Sequence, residues 1–112
     1  MTEFFKHIDK LVSQSEVVIE RAKNSAHHVW KCVYPVDYGY LKGTTSTDGE
    51  CVDVWVGSCG KSVNGVICTV DIVKRDCEMK VLLGTTESEM QAVLEFCNAT
   101  DGMKGILVRR CD

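Results

Sequence analysis

The chain has 112 residues, of which 45% are apolar and 26% charged, and its formal net charge is −3. This length and balance indicate one globular domain, residues 1–112, with a modest hydrophobic core. The absence of a basic run argues against nucleic-acid binding, and no apolar stretch approaches the roughly 18 residues of a membrane span. The N-terminus also lacks the apolar core of a signal peptide.

The first part of the chain predicts a helix, a strand and a loop. Residues 2–13 place apolar side chains at helical spacing, with Thr2 available as the N-cap. These apolar residues are Phe4, Phe5, Ile8, Leu11 and Val12. Residues 16–20 indicate a short strand, and residues 21–31 show no clear period, which indicates a loop.

The rest of the chain predicts further strands and one helix. The predicted strands cover residues 51–56, 66–73, 78–83 and 104–110. Residues 57–64 are expected to turn, with a bend at Asn64-Gly65, and residues 74–76 form a second turn. Thr86-Glu87-Ser88-Glu89 is a capping box that begins a helix. The expected buried face of that helix is Met90, Val93, Leu94 and Cys97.

Seven cysteines are many for this length, and an odd number cannot all pair with one another. None is spaced as Cys-x-x-Cys, so a zinc knuckle has little support. Most stand where a small apolar residue would serve, as Cys68 does in Val66-Ile67-Cys68-Thr69-Val70. The cysteines therefore indicate a reduced, cytoplasmic protein.

An acidic stretch, Asp48-Gly49-Glu50-Cys51-Val52-Asp53, carries three carboxylates within six residues. A chain that bends at Gly49 and enters a strand at Val52 can aim all three at one point. Such a point suits Mg²⁺, which takes oxygen ligands and is held by a few carboxylates together with substrate phosphates. The alternative is a solvated acidic turn between two strands, because Asp and Gly are common turn residues.

The preceding run strengthens the metal interpretation. Tyr34-Pro35-Val36-Asp37-Tyr38-Gly39-Tyr40 is followed by Gly43-Thr44-Thr45 and then by the acidic stretch. This order resembles the central signature of the soluble, Mg²⁺-dependent inorganic pyrophosphatases (family I), over residues 16–84. The resemblance implies a mainly β (α+β) fold, an OB-like five-stranded β-barrel with N-terminal and C-terminal helices and the carboxylates at its mouth.

The resemblance also assigns roles within the motif. Asp48, Glu50 and Asp53 match the family's metal-binding carboxylates, for Mg²⁺ with Mn²⁺ as a second option. Glu50 replaces an Asp that is a candidate base on the nucleophilic water, and a misplacement of about 1 Å can cost about 10²-fold in rate. Tyr38 matches a Tyr that faces this water, so Glu50 and Tyr38 are the candidate catalytic residues. Cys51 replaces a Pro, which loosens the turn.

Further positions match family contacts to metal and substrate. Glu78-Met79-Lys80 resembles an Asp-x-Lys, in which the carboxylate binds metal and the Lys holds phosphate. The alternative is a surface charge pair across two strands. Glu20 matches an acidic residue at the end of the first strand, or is a plain strand-end charge. Tyr34 matches the first Tyr of the signature and is also an ordinary core residue, and Asp76 is either a further carboxylate of the site or a turn residue.

The segment 21–30 departs most from the family pattern. Lys23 and His28, with Arg21, are the remaining candidates for phosphate binding there, since the family's second hairpin is missing. A joint zinc site at His27-His28 is disfavoured, because adjacent residues of a strand face opposite ways. Trp30 falls where the family has a Glu, and the family's C-terminal Tyr-Lys pair is not recognisable.

The sequence therefore predicts Mg²⁺-dependent hydrolysis of inorganic pyrophosphate, a small phosphate-containing substrate, by an inorganic diphosphatase-like enzyme. The alternative is a catalytically lapsed relative that binds metal and phosphate or a nucleotide as a regulatory module. A third possibility is a structural barrel that serves protein interactions. The resemblance also implies a homo-oligomer, because family members associate as dimers or hexamers.

Overall fold

The computed structural model describes residues 2–27 and 32–111, and within these it contains two helices and six strands. In chain order the elements are α1 (Thr2–Ser13), β1 (Glu16–Arg21), β2 (Asp37–Lys42), β3 (Val52–Val56), β4 (Val63–Asp71), β5 (Asp76–Leu83), α2 (Glu87–Cys97) and β6 (Met103–Arg109). Neither helix of the described chain is long and apolar enough to cross a membrane. The predicted N-cap role of Thr2 falls on a side chain outside the described part.

All six strands of the described chain form one sheet in the order β1-β2-β3-β5-β4-β6. Neighbouring strands are antiparallel, except that β3 and β5 pair in parallel. The mainly β (α+β) prediction with a helix towards each end is confirmed. The sheet differs from the expected five-stranded barrel, because it has a sixth strand and its edges β1 and β6 stand at opposite ends of the strand order.

Strand β4 begins and ends earlier than the sequence indicated, and β5 begins two residues earlier, at Asp76, but ends at Leu83 as predicted. The predicted bend at Asn64 is a bulge within β4, where the register shifts between Val63 and Gly65. At the other end, Oδ1 of Asp71 accepts the backbone N–H groups of Val73 at 2.9 Å and Lys74 at 3.0 Å. The turn therefore starts at Asp71, because this carboxylate ends the strand by bonding the backbone ahead of it.

The two faces of the sheet support two hydrophobic clusters. The α1-side cluster includes Phe5 and Ile8 of the first helix. Phe4 and Leu11 remain exposed, so only part of the predicted face of α1 is buried. The guanidinium of Arg110, which follows β6, bonds both carboxylate oxygens of Asp9 at 2.7 and 2.9 Å and joins α1 to the end of the chain.

The α2-side cluster forms against the second helix. Its predicted buried residues Met90, Val93 and Cys97 are confirmed. The capping box is confirmed too: the Glu89 backbone N–H donates to Thr86 Oγ1 at 3.1 Å, and the Thr86 backbone N–H donates to Glu89 Oε1 at 2.8 Å. This start fixes α2 over the face of the sheet that also carries the polar cavity described below.

The glycine of the Tyr-Gly-Tyr motif has a steric reason. Gly39 lies on β2 opposite Ile19 of β1, and a Cβ built on it would come within 1.9 Å of the Val18 carbonyl oxygen. The Gly39→Ala variant is therefore expected to force β1 away from β2 and to lower the free energy of unfolding by about 2–3 kcal/mol. Urea unfolding followed by circular dichroism measures this loss.

Gly102→Ala is the matched control, because its added methyl group would meet only the Val73 side chain, at 3.0 Å from Cγ2. Val73 is exposed and can move aside. Equal losses in the two variants would contradict the steric explanation for Gly39.

Candidate active site

A cavity of about 490 Å³ lies on the α2 side of the sheet, and we call it the carboxylate cavity. Its walls carry five carboxylates and two ammonium groups, together with two tyrosines and a cysteine. These residues are Glu20, Tyr38, Tyr40, Asp48, Glu50, Cys51, Asp53, Lys74, Glu78 and Lys80. The side chains converge because alternate residues of a strand share a face.

The strand register explains this convergence. Trp55 and Leu82 belong to the α2-side cluster. Asp53 precedes Trp55 by two positions on β3, and Lys80 precedes Leu82 by two on β5, so both polar residues point to the same side. Tyr38 stands opposite Trp55 in the β2–β3 pairing and completes the group.

The centre of the cavity is a hydrogen-bonded cluster around a half-buried ammonium group. Lys80 Nζ donates to Tyr38 Oη at 2.7 Å and to Asp53 Oδ2 at 2.9 Å, and it lies 3.2 Å from Glu78 Oε2. The Tyr38 hydroxyl donates to Asp53 Oδ2 at 2.7 Å. The cluster therefore joins β2, β3 and β5 through polar side chains.

The electrostatics of this cluster fix the charge states of its members. Burial works to lower the pKa of Lys80, but Tyr38 and Asp53 outweigh it and hold that pKa above its ordinary value. Burial also raises the pKa of the Tyr38 hydroxyl well above its usual range, more than Lys80 lowers it. Near neutral pH, Lys80 is therefore a permanent cation and Tyr38 a hydrogen-bond donor, not a base.

A second contact brings two carboxyl groups together. The backbone N–H of Glu50 donates a hydrogen bond to Asp48 Oδ1 at 2.9 Å, and this bond lowers the pKa of Asp48. A side-chain hydrogen bond with Glu78 lowers the same pKa further. Desolvation raises the pKa of Glu78, against the effect of Lys80. Two carboxyl groups this close share either a proton or a cation.

The donor set fits a hard divalent cation, since carboxylate oxygens are the ligands that Mg²⁺ and Mn²⁺ take. In the described part of the chain, however, no three acidic, His or Cys side chains are grouped closely enough to hold one ion. The ammonium of Lys80 lies between Asp53 and Glu78 and bonds both. The three motif carboxylates thus share a cavity without forming a ready set of ligands.

The other predicted site residues have different positions. Glu20 and Glu50 line the carboxylate cavity and are exposed. Lys23 does not: it lines a separate small cavity with Asp37, whose Oδ1 accepts the Lys23 backbone N–H at 2.8 Å. Tyr34 is buried among aromatic rings in a smaller cavity beside the carboxylate cavity. Asp76, predicted as a carboxylate of the site or a turn residue, is the first residue of β5 and lines this smaller cavity. The predictions for His28 and Trp30 fall outside the described residues.

Sequence reasoning missed Lys74, which lines the carboxylate cavity. It also missed Asp71 and Trp55, which line the smaller cavity beside it. Lys74 and Asp71 belong to a turn whose start was placed too late, and this hid their proximity to Glu78. The signal available for Trp55 was its period-two relation to Asp53 on β3.

Comparison with known proteins identifies the family. The family profile for inorganic pyrophosphatase matches residues 7–106, so the chain belongs to the inorganic pyrophosphatase family. By this membership it is an inorganic diphosphatase-like hydrolase, and pyrophosphatases generally use a divalent metal. No curated protein sequence matches the chain significantly.

Solved structures share the fold at low sequence identity. A structure described as an inorganic phosphatase from Anaplasma phagocytophilum has a TM-score of 0.60 at 17% identity, covering 83% of this chain and 81% of its own. An inorganic pyrophosphatase from Helicobacter pylori has a TM-score of 0.60 at 15% identity, with the same coverage. One from Coxiella burnetii has a TM-score of 0.52 at 14% identity, covering 86% and 78%.

Removing the central ammonium should unbalance the cluster. Lys80→Met leaves Asp53 and Glu78 uncompensated, and we expect it to lower the free energy of unfolding by about 3 kcal/mol. Tyr38→Phe, which removes one shared hydroxyl, should cost about 1 kcal/mol. Thermal unfolding with and without Mg²⁺ tests both: Mg²⁺ should raise the melting temperature of Lys80→Met more than that of the wild type.

Lys74→Met is the matched control, because Lys74 lines the same cavity but is exposed. If Lys74→Met and Lys80→Met lost equal stability and responded alike to Mg²⁺, the central role of Lys80 would be refuted.

Proposed function

We propose that this protein hydrolyses inorganic pyrophosphate to two phosphates with Mg²⁺, with Mn²⁺ as a second option. The observation that carries this proposal is the charge of the carboxylate cavity, whose five carboxylates outnumber its two ammonium groups. Such a cavity repels a free pyrophosphate anion, so the anion enters only with divalent cations. Family membership supports the same conclusion.

Four residues would hold the metal: Asp48 and Glu78, whose carboxyl groups are in contact, with Asp53 and Glu50 on the same wall. A bound divalent cation neutralises phosphate oxygens and lowers the pKa of a water ligand. Lys80 is placed to exchange its contacts with Asp53 and Glu78 for contacts with a phosphate group, because its charge persists at neutral pH.

Two side chains take part in the reaction itself in this proposal. Glu50, exposed on the wall, accepts a proton from the attacking water, whose oxygen bonds one phosphorus. The bond between that phosphorus and the bridging oxygen breaks, and the leaving phosphate takes the electron pair. Tyr38 stays protonated and donates a hydrogen bond, which positions oxygens of the substrate or of Asp53.

The lapsed alternative, binding of metal and phosphate or nucleotide without turnover, also has support. Among the described residues, the carboxylates are not grouped as a ligand set, and Lys80 bonds two of them. The two proposals differ in one measurable respect, which is cleavage.

We expect the purified protein to release phosphate from pyrophosphate with Mg²⁺ and also with Mn²⁺. Asp53→Asn and Glu50→Gln should each lower kcat by about 10²-fold or more, because the first disturbs the metal ligands and the second removes the base. Asp101→Asn, a change in an exposed turn, is the control and should keep full activity. Folding of each variant is checked by circular dichroism.

No release with either metal from a folded sample would reject the hydrolase and leave the binding module. Unchanged activity in Asp53→Asn would reject the carboxylate cavity as the site of cleavage.

Location and organisation are part of the proposal. No disulfide joins any of the seven cysteines, all of which lie in the described part, and burial raises the pKa of the Cys97 thiol to about 11, which makes it unreactive. This supports a reduced, cytoplasmic protein.

Both clusters and the cavity lie on one sheet, which supports one pyrophosphatase-like domain over residues 1–112.

We also propose that the protein forms a homo-oligomer through the uncovered face near β6. An open groove of about 770 Å³ there is lined by Val70, Met79 and Ile106 among others, and Val70 and Ile106 are more than half exposed. Exposed apolar patches of this kind favour association. Ile106→Lys should therefore shift a dimer or larger species towards monomer in analytical ultracentrifugation.

Phe4→Lys on α1 is the control for this experiment, since Phe4 is exposed and does not line that groove. A wild-type protein that sediments as a monomer at all concentrations would reject the proposal.

A further inference from the structure

Lys74 is a cation on the wall of the carboxylate cavity that takes no part in the cluster around Lys80. The Lys80 ammonium is already occupied by one hydroxyl and two carboxylates. The ammonium of Lys74, in contrast, has no hydrogen bond or ion pair within the described part of the chain. The cavity therefore offers one cation that is held by the protein and one that is free to bind an incoming anion.

The turn that carries Lys74 is fixed by backbone hydrogen bonds. Asp71 Oδ1 accepts the Lys74 N–H at 3.0 Å, and the carbonyl oxygen of Gly102 accepts the Ile72 N–H at 2.9 Å. The turn ends through Arg75, whose φ of 62° lies in the left-handed region that favours glycine. Such a conformation persists only where the surrounding contacts enforce it. The backbone of Lys74 is therefore held in place, while its exposed side chain can turn towards a ligand.

The position of Lys74 in the wall determines which part of a substrate it meets. Lys74 lines both the carboxylate cavity and the smaller cavity beside it, and so do Lys80 and Tyr38. Glu50 lines the carboxylate cavity but not the smaller one. Lys74 thus belongs to the side of the wall that adjoins the smaller cavity, and Glu50 belongs to the side away from it.

This arrangement matches the geometry of phosphoryl transfer. The attacking oxygen and the leaving oxygen lie roughly in line, on opposite sides of the phosphorus. With Glu50 as the base, the water attacks from the Glu50 side, so the second phosphate points towards Lys74. Negative charge develops on that phosphate as the bond to the bridging oxygen breaks, and a positioned cationic donor stabilises it there.

We propose that Lys74 binds the leaving phosphate of pyrophosphate and stabilises the charge that develops on it. This inference rests on the proposed function, because it assigns a further residue of the same cavity to the same reaction. The water oxygen bonds one phosphorus, the water proton passes to Glu50, and the bond from that phosphorus to the bridging oxygen breaks. The leaving phosphate takes the electron pair, and the Lys74 ammonium donates hydrogen bonds to its oxygens and keeps its own protons.

The first test measures hydrolysis of pyrophosphate with Mg²⁺ by the wild type and two Lys74 variants. Lys74→Gln removes the charge and should lower kcat/KM about tenfold or more, because hydrogen bonds between charged groups are strong. Lys74→Arg keeps a cation that binds phosphate and should stay within about threefold of the wild type. Arg75→Gln is the matched control and should stay within about twofold, since Arg75 is the next residue of the same turn and does not line the carboxylate cavity.

Chemical rescue separates a contact with the substrate from an effect on the turn. Lys74→Ala leaves an exposed space for a small added amine, so propylammonium should raise its kcat/KM severalfold. Tetramethylammonium has the same charge but no N–H donor, and at the same concentration it should restore nothing. A residue that only shapes the turn would respond to neither cation.

A binding measurement does not depend on cleavage. The ligand is methylenediphosphonate, in which a carbon atom replaces the bridging oxygen of pyrophosphate. In calorimetric titrations with Mg²⁺, the Kd of Lys74→Gln should be about fivefold to tenfold weaker than that of the wild type. The Kd of Arg75→Gln should match the wild type. Thermal unfolding followed by circular dichroism should show the same stability for all three proteins, because the Lys74 ammonium is exposed.

The outcomes separate this inference from the proposed function. Cleavage that falls equally, or not at all, in Lys74→Gln and Arg75→Gln overturns the inference and leaves the proposed function intact. A loss in Lys74→Gln with an unchanged Kd, and with no rescue of Lys74→Ala by propylammonium, overturns the inference too. A wild type that binds methylenediphosphonate but cleaves no pyrophosphate overturns the proposed function and the leaving-phosphate role with it. Selective loss in Lys74→Gln, rescue by propylammonium and a weaker Kd support the inference.

Discussion

The half-buried ammonium of Lys80 is the interaction on which the polar side of this structure depends. A charge removed from water is stable only with close partners, and Lys80 finds three in Tyr38, Asp53 and Glu78. These partners come from β2, β3 and β5, so the requirement of one charge holds three strands in a common register. The same charge keeps several carboxylates together that would otherwise repel one another.

The loop before β3 is fixed by its own backbone bonds, and this brings further acidic groups to the cluster. Thr44 Oγ1 accepts the Val52 N–H at 2.9 Å, and the Glu50 carbonyl accepts the Ser46 N–H at 2.7 Å. The bend at Gly49, with a φ of 86°, suits glycine. Asp48 is thereby carried across the sheet to the carboxyl group of Glu78, some thirty residues later in the chain.

Local patterns in the sequence predicted most elements, because they depend on neighbours along the chain. The capping box at Thr86 and Glu89 specifies the start of α2 without reference to the rest of the molecule. The turn after β4 was placed too late, because its start depends on the side chain of Asp71 bonding the backbone ahead of it. Lys23 was predicted to bind phosphate with the other site residues, but the structure places it in another cavity.

By itself, the sequence determined the family, the mainly β class and the acidic motif, because these follow from residue types at short fixed spacings. Only the tertiary structure decided that Lys80 lies between Asp53 and Glu78, that the sheet stays open, and that Trp55 and Phe96 wall a chamber beside the carboxylates. These facts depend on strand order and on the packing of α2. Contacts between residues far apart in the chain leave no periodic trace in the sequence, so they appear only when the sheet is assembled.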